Sequence, residues 1–331
     1  MHGQLNKTMN DYTHHQGVVF MKTIGHYLVR DGDREVICAI SPRLRKQLIY
    51  PTADPSSLRQ IVRGVAEIEA IDPVAVGDRV DFIDTLDGSG LIVEVLPRRN
   101  RLARLAAGRK RLEQVIVANV DYIVPVFAAA QPAPKWNLLD RYLASAESLG
   151  LASLVCITKT DLAGDRWDLQ AEVDTYRRIG YPVVLTSVVT GEGMDELKTA
   201  LHGCISVLVG KSGVGKTSLL NALGDGLGLR VNPVNRATGK GRHTTSNLAM
   251  YPLDSAGFIV DTPGMREFGL WEVDEGDLAL LFPEMRPLVG RCRFGLDCTH
   301  SHEPGCALRQ AVRQGEISAH RFESMLRMQE S

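Results

Sequence analysis

From residue 17 to about residue 96 the apolar positions come in short runs broken by turn residues. Runs at 18–20, 26–29, 36–40, 80–83 and 91–96 read as strands, with Asp31-Gly32-Asp33 and Asp87-Gly88-Ser89-Gly90 as turns between neighbours. Such a series of short strands suits a small closed barrel, and the oligonucleotide-binding (OB) type is the expected one. From Gln114 the pattern changes. Apolar runs at 115–118, 122–127, 152–157, 182–185, 204–209 and 257–260 alternate with helix-period stretches at 138–148, 167–178, 194–201 and 218–223. That alternation predicts a mostly parallel sheet covered by helices. Two more helices are expected, one over 306–314 closed by Gly315 and a last one N-capped by Ser318, with Ile317 and Phe322 spaced as a hydrophobic staple. Residues 1–16 carry no periodicity and read as a disordered tail. The expected organisation is therefore multidomain: tail 1–16, OB-type β-barrel 17–98, α/β domain 99–270 and α-helical domain 271–331.

Composition narrows the function classes. The chain has 331 residues, 44% hydrophobic and 23% charged, enough for several cores without disulfide staples. Its formal net charge is −1, so any attraction to a polyanion must come from a local patch. One such patch is Arg98, Arg99, Arg101, Arg104, Arg109, Lys110 and Arg111, with no acid before Glu113. Beside a candidate oligonucleotide-binding barrel it reads as a phosphate-backbone contact. No apolar run approaches a membrane span and no leader-like segment opens the chain, so a cytoplasmic protein without a membrane partner is expected. Cysteines in that compartment are not read as disulfides. Cys38, Cys156 and Cys204 sit in apolar runs and read as core.

The strongest chemical signal is Gly210-Lys211-Ser212-Gly213-Val214-Gly215-Lys216-Thr217, the phosphate-binding loop pattern G-x-x-x-x-G-K-T, followed by Ser218 and a helix. Its glycines let backbone N–H groups turn toward a polyphosphate, Lys216 reaches the β- and γ-phosphates, and the Thr217 hydroxyl is a Mg²⁺ ligand. Upstream, Thr158-Lys159-Thr160-Asp161 closes an apolar strand. The Asp161 carboxylate can accept from guanine N1–H and the 2-amino group together, a pair adenine lacks, and the Lys159 stem can cover the base. Thr158 stands where GTPases usually carry asparagine. Ser187, after the next strand, marks a second base-contact loop, with Val188 where alanine is usual. Downstream, Thr245, with Thr244 as second choice, is expected to bind Mg²⁺ and sense the γ-phosphate. Asp261 is expected in the Mg²⁺ shell, and the Gly264 N–H on the γ-phosphate. Met265 occupies the place where Ras-type proteins orient water through glutamine, so His243 is the candidate for that catalytic role beside Lys216 and Thr245. The base loops precede the phosphate loop, so the usual order of GTPase motifs is circularly permuted.

Cys292, Cys298, His300 and Cys306 offer three thiolates and an imidazole, a closed tetrahedral set for one structural Zn²⁺, with His302 as a competing ligand. Arg291, Arg293, Arg309, Arg313 and Arg321 give the same region an RNA-facing option.

Taken together, these motifs resemble the ribosome small-subunit-dependent GTPase A family. The landmarks are Pro97-Arg98-Arg99-Asn100, Glu113-Gln114, Ala118-Asn119-Val120-Asp121, Leu139-Asp140-Arg141-Tyr142-Leu143, the phosphate loop, Gly241-Arg242-His243-Thr244-Thr245, Asp261-Thr262-Pro263-Gly264 and the cysteine cluster. The likeness extends from about residue 17 onward. Two departures stand out: Ser41-Pro42-Arg43-Leu44-Arg45-Lys46 replaces a Gly-containing basic turn, and the first cysteine gap is one residue longer, with Gly295 or Leu296 inserted. The resemblance implies an RNA-binding barrel, a GTPase domain with Mg²⁺ and GTP or GDP, a zinc domain, and action on the 30S ribosomal subunit and its rRNA, as a monomer. Two rival readings are an ATP-using phosphotransferase on the same loop, opposed by Asp161, and a zinc-containing RNA-binding protein whose nucleotide site is inactive, opposed by intact Lys216, Thr217 and Asp261.

Overall fold

In the computed structural model the described residues are 13–23, 25–49, 73–85, 89–105, 113–164, 167–224, 249–253, 257–261 and 275–330. Among them, residues up to 120 together with 249–251 form one compact unit, and residues 121–224 together with those from 252 onward form a second.

The first unit is built on strands β1 (His14–Thr23), β2 (His26–Asp31), β3 (Arg34–Ile40), β4 (Arg79–Asp84) and β5 (Ser89–Val95). β1 pairs antiparallel with both β2 and β4. β2 pairs with β3, β3 runs parallel to β5, and β4 closes on β5. The order β1-β2-β3-β5-β4-β1 is a closed five-stranded barrel of the expected type. Side chains alternate in and out, so Tyr27 and Val29, Val36 and Cys38, Val80 and Phe82 all turn into one core with Val19, Ile40 and Ile92. Each such fully buried side chain contributes about 1.5–3 kcal/mol.

Three local features differ from the expectation. β1 starts at His14, inside the stretch 1–16 read as tail; His14, His15 and Gln16 pair with Ile83, Phe82 and Asp81, and His15 stacks on Phe82 at 5.6 Å. Ladder bonds and ring contact hold residues that carry no apolar period of their own. β5 starts at Ser89, so Ser89 and Gly90 belong to the strand and not to the turn. The segment after β3 is a helix, α1 (Pro42–Ile49). Proline suits the first helical position, the Ser41 hydroxyl accepts the Leu44 N–H at 3.1 Å, and Leu44 packs into the barrel core.

A hairpin of β6 (Arg101–Leu105) and β7 (Glu113–Ala118) joins this unit through a bridge from Val117 to Val76. Two asparagines lock its ends. Asn119 accepts the Arg99 N–H at 2.9 Å and donates to Gly77 O at 2.9 Å, while Asn100 exchanges two bonds with the backbone of Val120 at 2.7 and 2.8 Å. The Arg98 guanidinium forks onto the fully buried Asp78 carboxylate with two 2.7 Å bonds, so this member of the basic patch is held inside the unit. Arg99 and Arg101 are exposed, and 109–111 lie outside the described residues.

The second unit is an α/β domain. Its strands are β8 (Tyr122–Ala128), β9 (Ala152–Ser153), β10 (Val155–Thr158), β11 (Val183–Leu185), β12 (Ile205–Val209) and, beyond β13 (Ala249–Pro252), β14 (Phe258–Asp261). They pair in parallel in the order β11-β10-β8-β12-β14, with β9 beside β8. Helices α2 (Trp136–Ser148), α3 (Trp167–Ile179), α4 (Met194–Ala200) and α5 (Lys216–Leu223) connect them. α2 and α3 both end in the two-bond Schellman pattern: Gly150 and Leu151 donate to Glu147 and Ala146, and Gly180 and Tyr181 donate to Arg177 and Tyr176.

The C-terminal part of this unit carries 3-10 turns and two helices, α6 (Ala307–Arg313) and α7 (Ala319–Gln329). Ser318 stands at the N-cap position of α7 but its hydroxyl makes no capping bond. Ile317 and Phe322 pack in the same apolar cluster as Phe282, Met285, Leu308, Met325 and Ala144 of α2. α7 is fixed to the α/β domain by Arg321, which is only 1% exposed and therefore not RNA-facing. Its guanidinium donates to Asp140 Oδ1 at 2.7 Å and to both Glu284 oxygens at 2.8 and 3.0 Å, and lies 4.6 Å from the Phe282 ring centre. Burial alone would lower its pKa, but Asp140 and Glu284 outweigh that and hold it above the ordinary arginine value. Among the described residues no helix is long and apolar enough to cross a membrane.

Candidate nucleotide and metal sites

The carboxyl ends of parallel strands are where open α/β sheets bind ligands, and two loops meet there. The first follows β12. Gly210 has φ 155°, and a Cβ on it would fall 2.4 Å from Val126 O, so only glycine lets the loop leave β12 this close to β8. Gly215, at φ 98°, stands at the N-cap of α5 and turns the chain into that helix. Lys211 and Ser212 are on the exposed crest of the loop or beside it, Gly213 and Val214 form its inner wall, and Thr217 and Ser218 lie in the first turn of α5. The Lys216 ammonium curls back over the loop, donating to Gly210 O at 2.7 Å and Lys211 O at 3.0 Å. It is thus held against the loop carbonyls, where a phosphate chain would need a cation.

The second loop follows β10. Lys159 adopts φ 58°, a left-handed conformation that costs a non-glycine residue about 1–2 kcal/mol. That turn swings the chain into a short 3-10 turn, Thr160–Leu162, and leaves Asp161 exposed. The Lys159 ammonium reaches across to the phosphate loop, donating to Gly213 O at 2.7 Å, and also donates to Gln131 O. Burial pulls its pKa below the usual lysine value, with Asp161 opposing. The Thr158 hydroxyl, on a residue only 3% exposed, donates to Val214 O at 2.5 Å. Base loop and phosphate loop are therefore tied by two direct bonds, although the bonded residues lie 56 and 54 positions apart in the chain.

The loop after β11 joins them. Buried Ser187 donates its hydroxyl to Asp161 Oδ1 at 2.5 Å, which orients the carboxylate of this exposed residue. Two residues of this site carried no signal in the sequence. Glu192 accepts from the Thr160 hydroxyl at 2.7 Å, and its carbonyl accepts the Ser187 N–H at 3.0 Å, so it joins the two base loops. Gln131 holds Lys159 through a main-chain carbonyl, for which no residue type is diagnostic. Asp261 ends β14, which lies beside β12, and its main chain is the limit of what is described there. His243, Thr244, Thr245 and Gly264 lie outside the described residues.

The metal cluster is compact. One ligand atom from each of Cys292, Cys298, His300 and Cys306 lies within 4.8 Å of all the others, and all four residues are buried. A tetrahedral ion at about 2.3 Å from sulfur and about 2.05 Å from nitrogen requires S···S of about 3.8 Å and S···N of about 3.5 Å. Cys292 and Cys306 sulfurs are 3.9 Å apart, and His300 Nδ1 is 3.5 and 3.4 Å from them. The donor set fits a metal ion. Burial lowers the His300 pKa, with Glu303 opposing, which favours the neutral ring that ligates metals. The Ala307 N–H donates to Cys292 Sγ at 3.3 Å, supporting a thiolate. His302 is exposed, bonded to Ser301 at 2.8 Å, and stands outside the cluster. The lengthened cysteine gap is taken up by a 3-10 turn, Gly295–Asp297, that pushes Leu296 into solvent.

A parallel sheet carrying a phosphate loop, with guanine-type base loops ahead of it in the chain, defines a circularly permuted GTPase fold. The model of the family described as RsgA GTPase matches residues 95–271. The small ribosomal subunit biogenesis GTPase RsgA of Gemmatimonas aurantiaca is 44% identical over 259 residues, 78% of this chain and 84% of that protein. Its namesake from Pseudomonas aeruginosa is 44% identical over 250 residues, 75% of this chain and 73% of the other. Among solved structures, YjeQ from Thermotoga maritima superposes with TM-score 0.73 at 30% identity, covering 96% of this chain and 98% of its own. YloQ, described as a circularly permuted GTPase, follows at TM-score 0.69 and 26% identity, covering 98% and 96%. The chain belongs to the RsgA GTPase family.

Proposed function

We propose that this protein hydrolyses GTP to GDP and phosphate as a switch in the late assembly of the small ribosomal subunit. The observation that carries this reading is the pair of bonds from Thr158 and Lys159 to Val214 and Gly213, which tie a guanine-type loop directly to a phosphate loop. In this reading Asp161, steadied by Ser187, takes the Watson–Crick edge of guanine. Thr158, Lys159 and Thr160 complete the base loop, and Gly210 to Ser218 surround the phosphates. Lys216 neutralises the β- and γ-phosphates, and the γ-phosphate also meets the Gly264 N–H. Thr217, Thr245 and Asp261 would hold Mg²⁺, which when bound would supply charge compensation for the phosphates. His243 orients the attacking water. Loss of the γ-phosphate releases the loops that carry Thr245 and Gly264.

Because the motif order is permuted, the chain leaving Gly264 runs directly into the metal domain. Nucleotide state is thus wired covalently to the C-terminal segment. We assign the barrel (17–98) to rRNA, 99–270 to the nucleotide and 271–331 to a structural Zn²⁺ on Cys292, Cys298, His300 and Cys306. A monomer that works in the cytoplasm and docks on the 30S subunit in its GTP form is the simplest assembly that uses all three. The names of the relatives support the ribosomal assignment, and Asp161 supports guanine over adenine. The deciding experiment is GTP and ATP hydrolysis measured side by side with and without purified 30S subunits. GTP turnover should rise severalfold with subunits while ATP turnover stays at the buffer rate. Equal turnover of both, or no response to subunits, would reject the reading.

A further inference from the structure

The residue at the head of the base loop has one proton to give. Thr158 is buried, and its hydroxyl lies 2.5 Å from Val214 O and 3.2 Å from Phe127 O. Both partners are main-chain carbonyls, which only accept, so the single O–H is spent between them. A Cβ placed on Gly215 would sit 3.4 Å from this oxygen, which shows how tightly the hydroxyl is wedged under the phosphate loop. Guanine N7 is itself only an acceptor and needs a donor to be read. An asparagine here would bring two amide donors, one for the loop and one to spare. Threonine has none to spare. The Asp161 carboxylate accepts and cannot serve N7 either.

We propose that Thr158 is a strap between the base and phosphate loops, not a base ligand, and that the base loop recognises guanine through its Watson–Crick edge while leaving N7 unread. This inference rests on the reading of residues 158–161 as a guanine site. It follows that nucleotides altered at position 7 of the base should be accepted as well as the natural ones.

The test is calorimetric titration of the full chain with GDP, 7-deaza-GDP and ADP. GDP and 7-deaza-GDP should bind within about twofold of one another, and ADP about a hundredfold or more weaker, since losing a hydrogen bond to a base costs about a factor of five or more. If the unsubstituted protein prefers GDP over 7-deaza-GDP by about fivefold or more, the proposal fails while the guanine reading stands. If ADP matches GDP, the guanine reading goes and this proposal with it. Two variants sharpen the result. Thr158→Asn should create a preference for GDP over 7-deaza-GDP of about fivefold, as an added donor would; an unchanged ratio counts against the single-proton argument. Thr158→Val should weaken both nucleotides equally, and Thr158→Ser should restore them. A Thr158→Val that loses GDP affinity but keeps that of 7-deaza-GDP would show that the hydroxyl did read N7.

Discussion

Lys216 and Arg321 are both cations committed to specific acceptors, but they answer to different demands. Lys216 sits on the first turn of α5 and folds over the loop carbonyls. Its replacement by alanine removes the charge proposed to face the phosphates, and GDP binding should fall below detection in a titration that the parent protein satisfies; unchanged affinity would remove the phosphate-loop assignment. Arg321 is a matter of stability. With Arg321→Met, the fully buried Asp140 keeps only the Tyr176 hydroxyl and the His320 ring beside it, and Glu284 loses the guanidinium that held both of its oxygens. Removing one partner of such a buried pair costs about 3–5 kcal/mol. Urea unfolding of the C-terminal segment should show that loss, and a change below about 1 kcal/mol would mean the packing, not the charge, holds α7. The sequence could not reveal this role. Arg321 reads as one more basic residue on a helix until its partners, 181 positions away at Asp140 and 37 away at Glu284, are known.

At the scale of elements, the metal cluster is the staple of its region. The cysteines lie inside the same apolar cluster as Phe282, Met285, Leu308 and Met325, so an ion held by them would form its site together with that core. Cys298→Ser should lower bound zinc, measured by mass spectrometry of the metal, and should expose 275–330 to protease while the barrel stays intact. Retained zinc at one ion per chain would shift the ligand set elsewhere. The isolated cysteines make a contrasting prediction. Burial pushes the Cys38 and Cys156 thiols up to about 12, so at neutral pH neither is a thiolate. A maleimide reagent on the native protein should spare both and modify Cys204, which is half-buried; labelling of Cys156 before unfolding would contradict its place between β8 and β11.

The elements also show which parts of the fold the sequence exposes. Strands with their own period, such as β2 and β3, and loops with glycine-enforced geometry, such as 210–217, were legible because the cause is local. α1 was missed although Ser41-Pro42 is a helix-start signal, because the following basic run masks its apolar period. β6 was hidden in the same way: Arg101 and Arg104 obscure a strand whose only reason to exist is its partner β7. Glu192 is the same lesson inside the site, since nothing about its type or spacing points to Thr160.

At the scale of the whole molecule, a reversed motif order still assembles one site because strand neighbours, not chain order, decide which loops meet. β10, β8 and β12 are adjacent in the sheet, and the two loops that leave β10 and β12 touch over β8. The central claim is that this site holds a guanine nucleotide through Asp161. The most direct test compares GDP, ADP and xanthosine diphosphate by titration against the parent protein and Asp161→Asn. The account predicts that the parent binds GDP and rejects the other two, and that Asp161→Asn loses GDP and gains xanthosine diphosphate, because the carboxamide can donate where the carboxylate could only accept. A variant that keeps the parent's preference for GDP would contradict it.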